Sequence, residues 1–195
     1  MRIAYVLGLF PTLSETFVGN EMRALEALGH TVFPIALHCT DGIFQEADAD
    51  LAARTLYFTS IDQASAGRLR RLYRFCKHRA RAFIRQQTTE NPDHLFLHAA
   101  YIAEHIRRNR CTHIHAHFAW GATSYAIVAA RLLRLTVSFT CHGSDVYARP
   151  QDLALKCAMA DAVVVVAPTL GHDLIQHCLP AKVATIACGV DSDYF

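Results

Sequence analysis

The chain has 195 residues, 52% hydrophobic and 18% charged, which suits one compact domain and excludes a disordered polymer. No apolar run approaches the roughly 18 residues of a membrane span, and no small-residue cleavage site follows the N-terminal apolar stretch. Net charge is only +2, yet eight bases and no acid lie in residues 67–87, leaving 11 bases against 17 acids elsewhere. A nucleic-acid-binding surface spread over the whole domain is thereby excluded, whereas a local patch for phosphate or anionic lipid is not.

Residues 2–7 form a β-branched, apolar run that predicts a buried first strand. Thr12 to Glu15 has the spacing of a capping box. Phe17, Met22, Leu25 and Leu28 then predict a helical face that Gly29 closes. Residues 31–37 predict a second strand whose Pro34 makes it an edge, bulged or broken there. Residues 39–50 read as loop and 55–58 as a short strand. In the basic segment, Leu69, Leu72, Cys76, Ala80 and Phe83 fall on one stripe of a single helix, with Arg70, Arg74, Lys77, Arg81 and Arg85 on another. Asn91 before Pro92 opens a helix running to residue 110. Strands at 112–117, 136–140, 162–166 and 182–187 then alternate with helices at 121–135, 150–160 and 169–178. That alternation predicts a doubly wound, Rossmann-like α/β fold with a parallel sheet. Seven scattered cysteines without a CxxC fit neither a disulfide framework nor a structural zinc site, so a reduced, cytoplasmic setting is expected.

In such sheets ligands bind beyond the carboxyl ends of the strands. The loops leaving those ends carry Phe-Pro-Thr-Leu-Ser-Glu-Thr after the first strand, His-Phe-Ala-Trp-Gly from His117 and His-Gly-Ser-Asp from His142. No GxGxxG, P-loop, GxSxG or HExxH is present, which demotes dinucleotides, ATP bound by a P-loop, serine hydrolysis and metalloprotease chemistry. His113, His115 and His117 share one face of a strand. A single strand rarely presents three converging ligands, and no carboxylate or thiolate is adjacent, so no metal is expected. His142 either points into the cleft as a hydrogen-bond donor or acid/base, or belongs to a plain capped turn. The basic helix is a solvated face, a surface for anionic lipid, or an RNA contact that the limited aromatic interleaving of Tyr73, Phe75 and Phe83 supports least.

Phe10-Pro-Thr-Leu-Ser-Glu-Thr-Phe-Val18 with Glu21, Ile114-His-Ala-His-Phe118, Phe139-Thr-Cys-His-Gly-Ser-Asp145 and Cys188-Gly-Val-Asp191…Phe195 occur in that order. Together they resemble the N-terminal domain of family 4 glycosyltransferases, most of all the branch that builds exopolysaccharides of the colanic-acid type. The resemblance spans essentially residues 1–195 as a single domain. It implies a GT-B enzyme that transfers a sugar from a nucleotide-sugar donor with retention, without a metal ion or other cofactor. The acceptor implied is a lipid-linked saccharide at the inner face of the cytoplasmic membrane, where Arg70, Arg74, Lys77, Arg81 and Arg85 would meet anionic lipid.

The same resemblance implies that His142 hydrogen-bonds the transferred sugar and stabilises developing charge. It places Ser14, Glu15, Thr16, His117, Gly143 and Asp145 around the substrates. Where many members carry Gly-Gly in the first loop, this chain has Pro11-Thr12-Leu13, which removes support for phosphate contact there. A donor-binding domain is expected beyond Phe195, so these residues form half of an active site. The alternative reading is a non-catalytic saccharide-binding or recruiting module that pairs with a separate donor-binding subunit.

Overall fold

The computed structural model describes residues 1–58 and 61–189. Seven parallel strands form one sheet in the order β3-β2-β1-β4-β5-β6-β7. They are β1 (Arg2–Leu9), β2 (Thr31–His38), β3 (Leu56–Tyr57), β4 (His113–His117), β5 (Thr136–Cys141), β6 (Ala162–Val165) and β7 (Val183–Thr185). Among the described residues, eight α-helices connect them: α1 (Thr16–Ala27), α2 (Ala49–Arg54), α3 (Gln63–Tyr73), α4 (Lys77–Gln86), α5 (Pro92–Arg108), α6 (Gly121–Leu133), α7 (Leu153–Met159) and α8 (Pro168–Leu174). The chain therefore has the Rossmann-like α/β fold that its alternation predicts.

Strand residues alternate between two faces. Ala4, Val6, Ile114, Ala116, Val137, Phe139, Val163 and Val165 point into one core with α3 to α8. Ile3, Tyr5, Leu7, Val32 and Ala36 point the other way, into a smaller core with α1 and α2. Ten of the thirteen residues of α6 are buried, which explains a sequence that is apolar almost all round. Arg134, left-handed at φ 59°, ends that helix. Asn91 caps α5 by accepting from the Asp93 and His94 N–H groups at 3.0 and 3.1 Å, with Pro92 in the first turn. Gly29 ends α1 region at φ 82°, where a side chain would be strained.

Several local expectations change. Pro34 lies within β2, opposite Tyr5 in an unbroken register with β1. β3 reaches only Ile35 and Ala36, so Pro34 lies past its end on a local edge, the first of the three expected arrangements, and neither bulges nor breaks the strand. Thr12 makes no side-chain cap. A 3₁₀ turn over Leu13–Glu15 precedes α1, and the Thr12 hydroxyl lies 3.3 Å from that of Ser14. The acidic loop ends in a 3₁₀ turn, Glu46–Asp48, that leads into α2 and is seated by Asp48, which is 1% exposed and paired with Arg23. The basic segment is two helices, broken at residues 74–76. Leu69, Ala80 and Phe83 are buried, but Leu72 and Phe75 stand exposed, with Arg74 lying 4.2 Å over the Phe75 ring.

Candidate functional site

The loop after β4 opens with His117 and Phe118. Phe118 adopts φ 66°, a left-handed conformation uncommon for an aromatic residue. Its N–H donates to the Thr140 carbonyl at 2.9 Å, and its own carbonyl accepts from the Thr123 hydroxyl of α6. The turn lays the Phe118 ring on the His142 imidazole, with centroids 4.3 Å apart and planes 29° from parallel. Phe17, at the start of α1, comes within 5.0 Å of the same imidazole. His142 is thus held on two sides at the tip of β5, beside the loops from β1 and β4.

The turn beneath His142 is a single π-type helical turn, Ser144–Ala148. Asp145 is wholly buried, and its carboxylate accepts the His142 N–H at 2.7 Å. Asp145 therefore positions the histidine rather than facing the cleft. Burial pushes its carboxyl up to about 6, against the backbone N–H groups of His142 and Ala119 and the charge of Lys156. Gly143 is right-handed at φ −56°, so its conformation does not demand glycine. Burial holds the His142 imidazole down to about 4, with His117 reinforcing and Glu21 opposing the shift. At neutral pH it is a neutral donor and acceptor, not an imidazolium.

His117 Nδ1 lies 3.4 Å from His142 Nε2. On its other side, His117 Nε2 lies 3.4 Å from Glu21 of α1. Burial alone would raise the Glu21 carboxyl. The imidazoles of His117 and His115 and the Tyr5 hydroxyl outweigh burial and hold it down to about 2. Glu15 is half-buried and raised by burial, with His117 opposing. Thr16 is partly buried and begins α1, whereas Ser14 is exposed on the 3₁₀ turn. The structure therefore brings Glu15, His117, His142 and Asp145 into one cluster and leaves Ser14 at its margin.

A cavity of about 500 Å³ adjoins the cluster, lined by Phe17, Glu21, His117, Thr140, Val164 and Cys188 among others. It lies over β4 to β6 on the α1 side of the sheet. Helices α5 to α8 pack on the opposite face, and α1 borders this stretch of sheet on one side through Phe17 and Glu21. His142 sits at the upper rim beside Phe17, outside the cavity lining. The Cys188–Phe195 motif leaves the described residues after Gly189.

Two groups organise the site beyond what sequence reasoning assigned: Glu21, quoted in the first motif without a role, and Lys156, which it missed. Glu21 joins α1 to the β4 histidines, and its spacing of four from Phe17 puts both on one helix face. Lys156 is fully buried in α7 and donates to the Ala119 and Gln151 carbonyls at 2.8 and 2.9 Å, pinning the loop after β4. No local pattern marks a lysine for burial. Among the basic residues, Arg70, Arg74, Arg81 and Arg85 are exposed. Lys77 instead engages its own chain, 3.8 Å from Asp93 and 4.6 Å over the Phe96 ring.

A search of curated proteins gave no match. Solved structures share the fold at low identity. A glycosyltransferase from Rickettsia africae matches with a TM-score of 0.59 and 16% identity, over 100% of this chain and 44% of that one. HepE of Anabaena, solved with UDP-glucose, matches at 0.61 and 14%, over 98% and 44%. The UDP-GlcNAc 2-epimerase of Methanocaldococcus jannaschii, solved with UDP-GlcNAc and UDP, matches at 0.58 and 12%, over 95% and 46%. The chain thus spans under half the length of these structures. Because both transferases and epimerases share the fold, the fold alone does not choose a reaction. The profile of Glycosyltransferase Family 4 does discriminate, matching residues 14–194, and the chain belongs to that family.

Proposed function

We propose that this domain is the acceptor-side half of a retaining glycosyltransferase acting in surface or exopolysaccharide assembly. It would hold a lipid-linked saccharide while a sugar arrives from a nucleotide-sugar bound mainly by a second domain. The observation that carries this reading is the fixed, neutral His142 between Phe17 and Phe118, at the mouth shared by three strand-end loops. Its imidazole would hydrogen-bond a hydroxyl of the transferred sugar and stabilise charge developing as the bond from C1 to the diphosphate breaks. Glu15, Thr16, His117 and Gly143 would contact substrates, with Ser14 at the edge and Asp145 holding the turn. As the new glycosidic bond forms, the acceptor hydroxyl would pass its proton to the departing phosphate oxygen. That step uses no side-chain nucleophile, metal ion or other cofactor.

Among the described residues no helix is long and apolar enough to cross a membrane. We place the domain on the cytoplasmic face, held by Arg70, Arg74, Arg81 and Arg85 around the exposed Leu72 and Phe75. The test is transfer by the full-length polypeptide from labelled nucleotide-sugars to a membrane-lipid extract, with NMR of the new linkage. Retained anomeric configuration supports the reading, and inversion overturns it. A second reading is supported by the cavity over β4 to β6, which combines apolar walls with Asn20, Glu21 and Thr140: a non-catalytic module that recruits a saccharide for a separate donor-binding subunit. Saccharide binding by the full-length polypeptide without any transfer would select it.

A further inference from the structure

On the α1 side of the sheet, β4 presents His113, His115 and His117 opposite Thr136, Ser138 and Thr140 of β5. His113 is satisfied within this ladder, with its two nitrogens 2.7 Å from the Thr136 hydroxyl and 2.8 Å from that of Ser138. His115 and His117 are met instead by Glu21. Oε1 lies 3.6 Å from His115 Nε2 and Oε2 lies 3.4 Å from His117 Nε2, and one atom of each group falls within 4.8 Å of the others. Two ligands about 2.1 Å from a tetrahedral ion are about 3.4 Å apart, so each imidazole stands from the carboxylate at a distance that one ion between them could span.

The outer atoms of all three groups are already held. His115 Nδ1 lies 2.7 Å from the Ser138 hydroxyl, His117 Nδ1 faces His142 Nε2, and the Tyr5 hydroxyl donates to Glu21 Oε1 at 2.5 Å. Such outer contacts orient metal ligands and fix their tautomers. His117 supplies an independent sign. The residue is 2% exposed, and its Nε2, with Glu21 3.4 Å away, makes no hydrogen bond of good geometry although it faces the common centre. A buried polar atom left in that state calls for an occupant.

We propose that Glu21, His115 and His117 form a binding site for one divalent cation of the zinc class. Two imidazole nitrogens and one carboxylate oxygen suit a borderline cation, whereas magnesium and calcium prefer oxygen alone. The Thr140 hydroxyl, 3.1 Å from His115 Nε2, gives up that nitrogen to the ion. His117 binds through Nε2 with its proton on Nδ1, directed at His142 Nε2. A further coordination position opens towards the cavity. The site adjoins the transfer site through His117 and His142, but its ion takes no part in the transfer step and binds without donor or acceptor.

The test is calorimetric titration of the chelator-treated chain with Zn²⁺, paired with Co²⁺ absorption spectra. One equivalent should bind with a Kd of about 1 μM or tighter, and the Co²⁺ spectrum should lack a thiolate charge-transfer band. Glu21→Gln and His117→Gln should each weaken binding at least about 100-fold, and Ser138→Ala about tenfold. His98→Gln disrupts the separate His94–His98 pair, whose rings lie 3.6 Å apart, and should leave this binding unchanged. No binding at about 100 μM, a thiolate band, loss only in His98→Gln, or full affinity in Glu21→Gln and His117→Gln would each overturn the site. If circular dichroism shows a ligand variant to be unfolded, nitrogen-15 NMR of the wild type decides. One equivalent of Zn²⁺ must move the Nε2 resonances of His115 and His117 and not those of His94 and His98; the reverse pattern refutes the proposal.

Discussion

Replacing Asp145 by Asn isolates the electrostatic cost of fixing His142. Asp145 is wholly buried, and its carboxyl is raised from the ordinary 3.8 to about 6, with burial the leading cause. The groups facing it are the His142 and Ala119 N–H groups, the Cys141 thiol and the Lys156 ammonium. Because the folded carboxyl binds its proton more tightly than the unfolded one, the folded state holds the extra proton between these pKa values. Stability therefore falls as pH rises from 3.8 through about 6, by about 3 kcal/mol in all and about 2 kcal/mol between about pH 4.5 and pH 7.5. An asparagine amide oxygen still accepts the His142 N–H but does not titrate. Urea unfolding of both proteins at four pH values should show Asp145→Asn gaining about 2 kcal/mol on the wild type across that window. Other titrating groups are common to both proteins and cancel. A difference that does not change with pH, or that changes in the opposite direction, refutes the reasoning.

Gly19→Ala adds helix propensity worth about 1 kcal/mol, yet its Cβ would lie 1.9 Å from Oδ1 of the buried Asp48. Overpacking of about 1–3 kcal/mol should win, and urea midpoints should fall. Lys156→Met leaves the Ala119 and Gln151 carbonyls without their donor and should lower stability by about 2 kcal/mol. Removal of that charge should also raise the Asp145 titration, read by carboxyl NMR. Replacing Arg70, Arg74, Arg81 and Arg85 together by Gln should weaken sedimentation with anionic vesicles at least about 100-fold, at about 1 kcal/mol per arginine. Neutral vesicles should bind neither protein, and unchanged binding to anionic vesicles would contradict the membrane reading.

The parallel sheet was legible because buried strands such as residues 162–166 are short, apolar and closed by turn residues. The strand-end loops were legible because the fold places ligands there. What escaped depends on tertiary context. Nothing local to His113-Ile-His-Ala-His117 shows that Glu21 reaches two of the three imidazoles, since that carboxylate comes from a distant helix. The basic stripe looks continuous in sequence, but the chain turns at residues 74–76 and places Leu72 in solvent instead of the core. Thr12 has the letters of a capping box, yet the backbone turns as 3₁₀ before α1 can start there. α2 is only six residues long, too short for its periodicity to stand out. Lys156 is buried because the loop after β4 offers two carbonyls, which only the folded chain brings together.

The central claim is that His142 acts on the transferring sugar. It is tested most directly by His142→Ala in the full-length polypeptide, with kcat and acceptor KM measured separately. A fall in kcat of at least about 100-fold, with acceptor KM within about threefold, is the result this account predicts. Equal turnover in variant and wild type would contradict it.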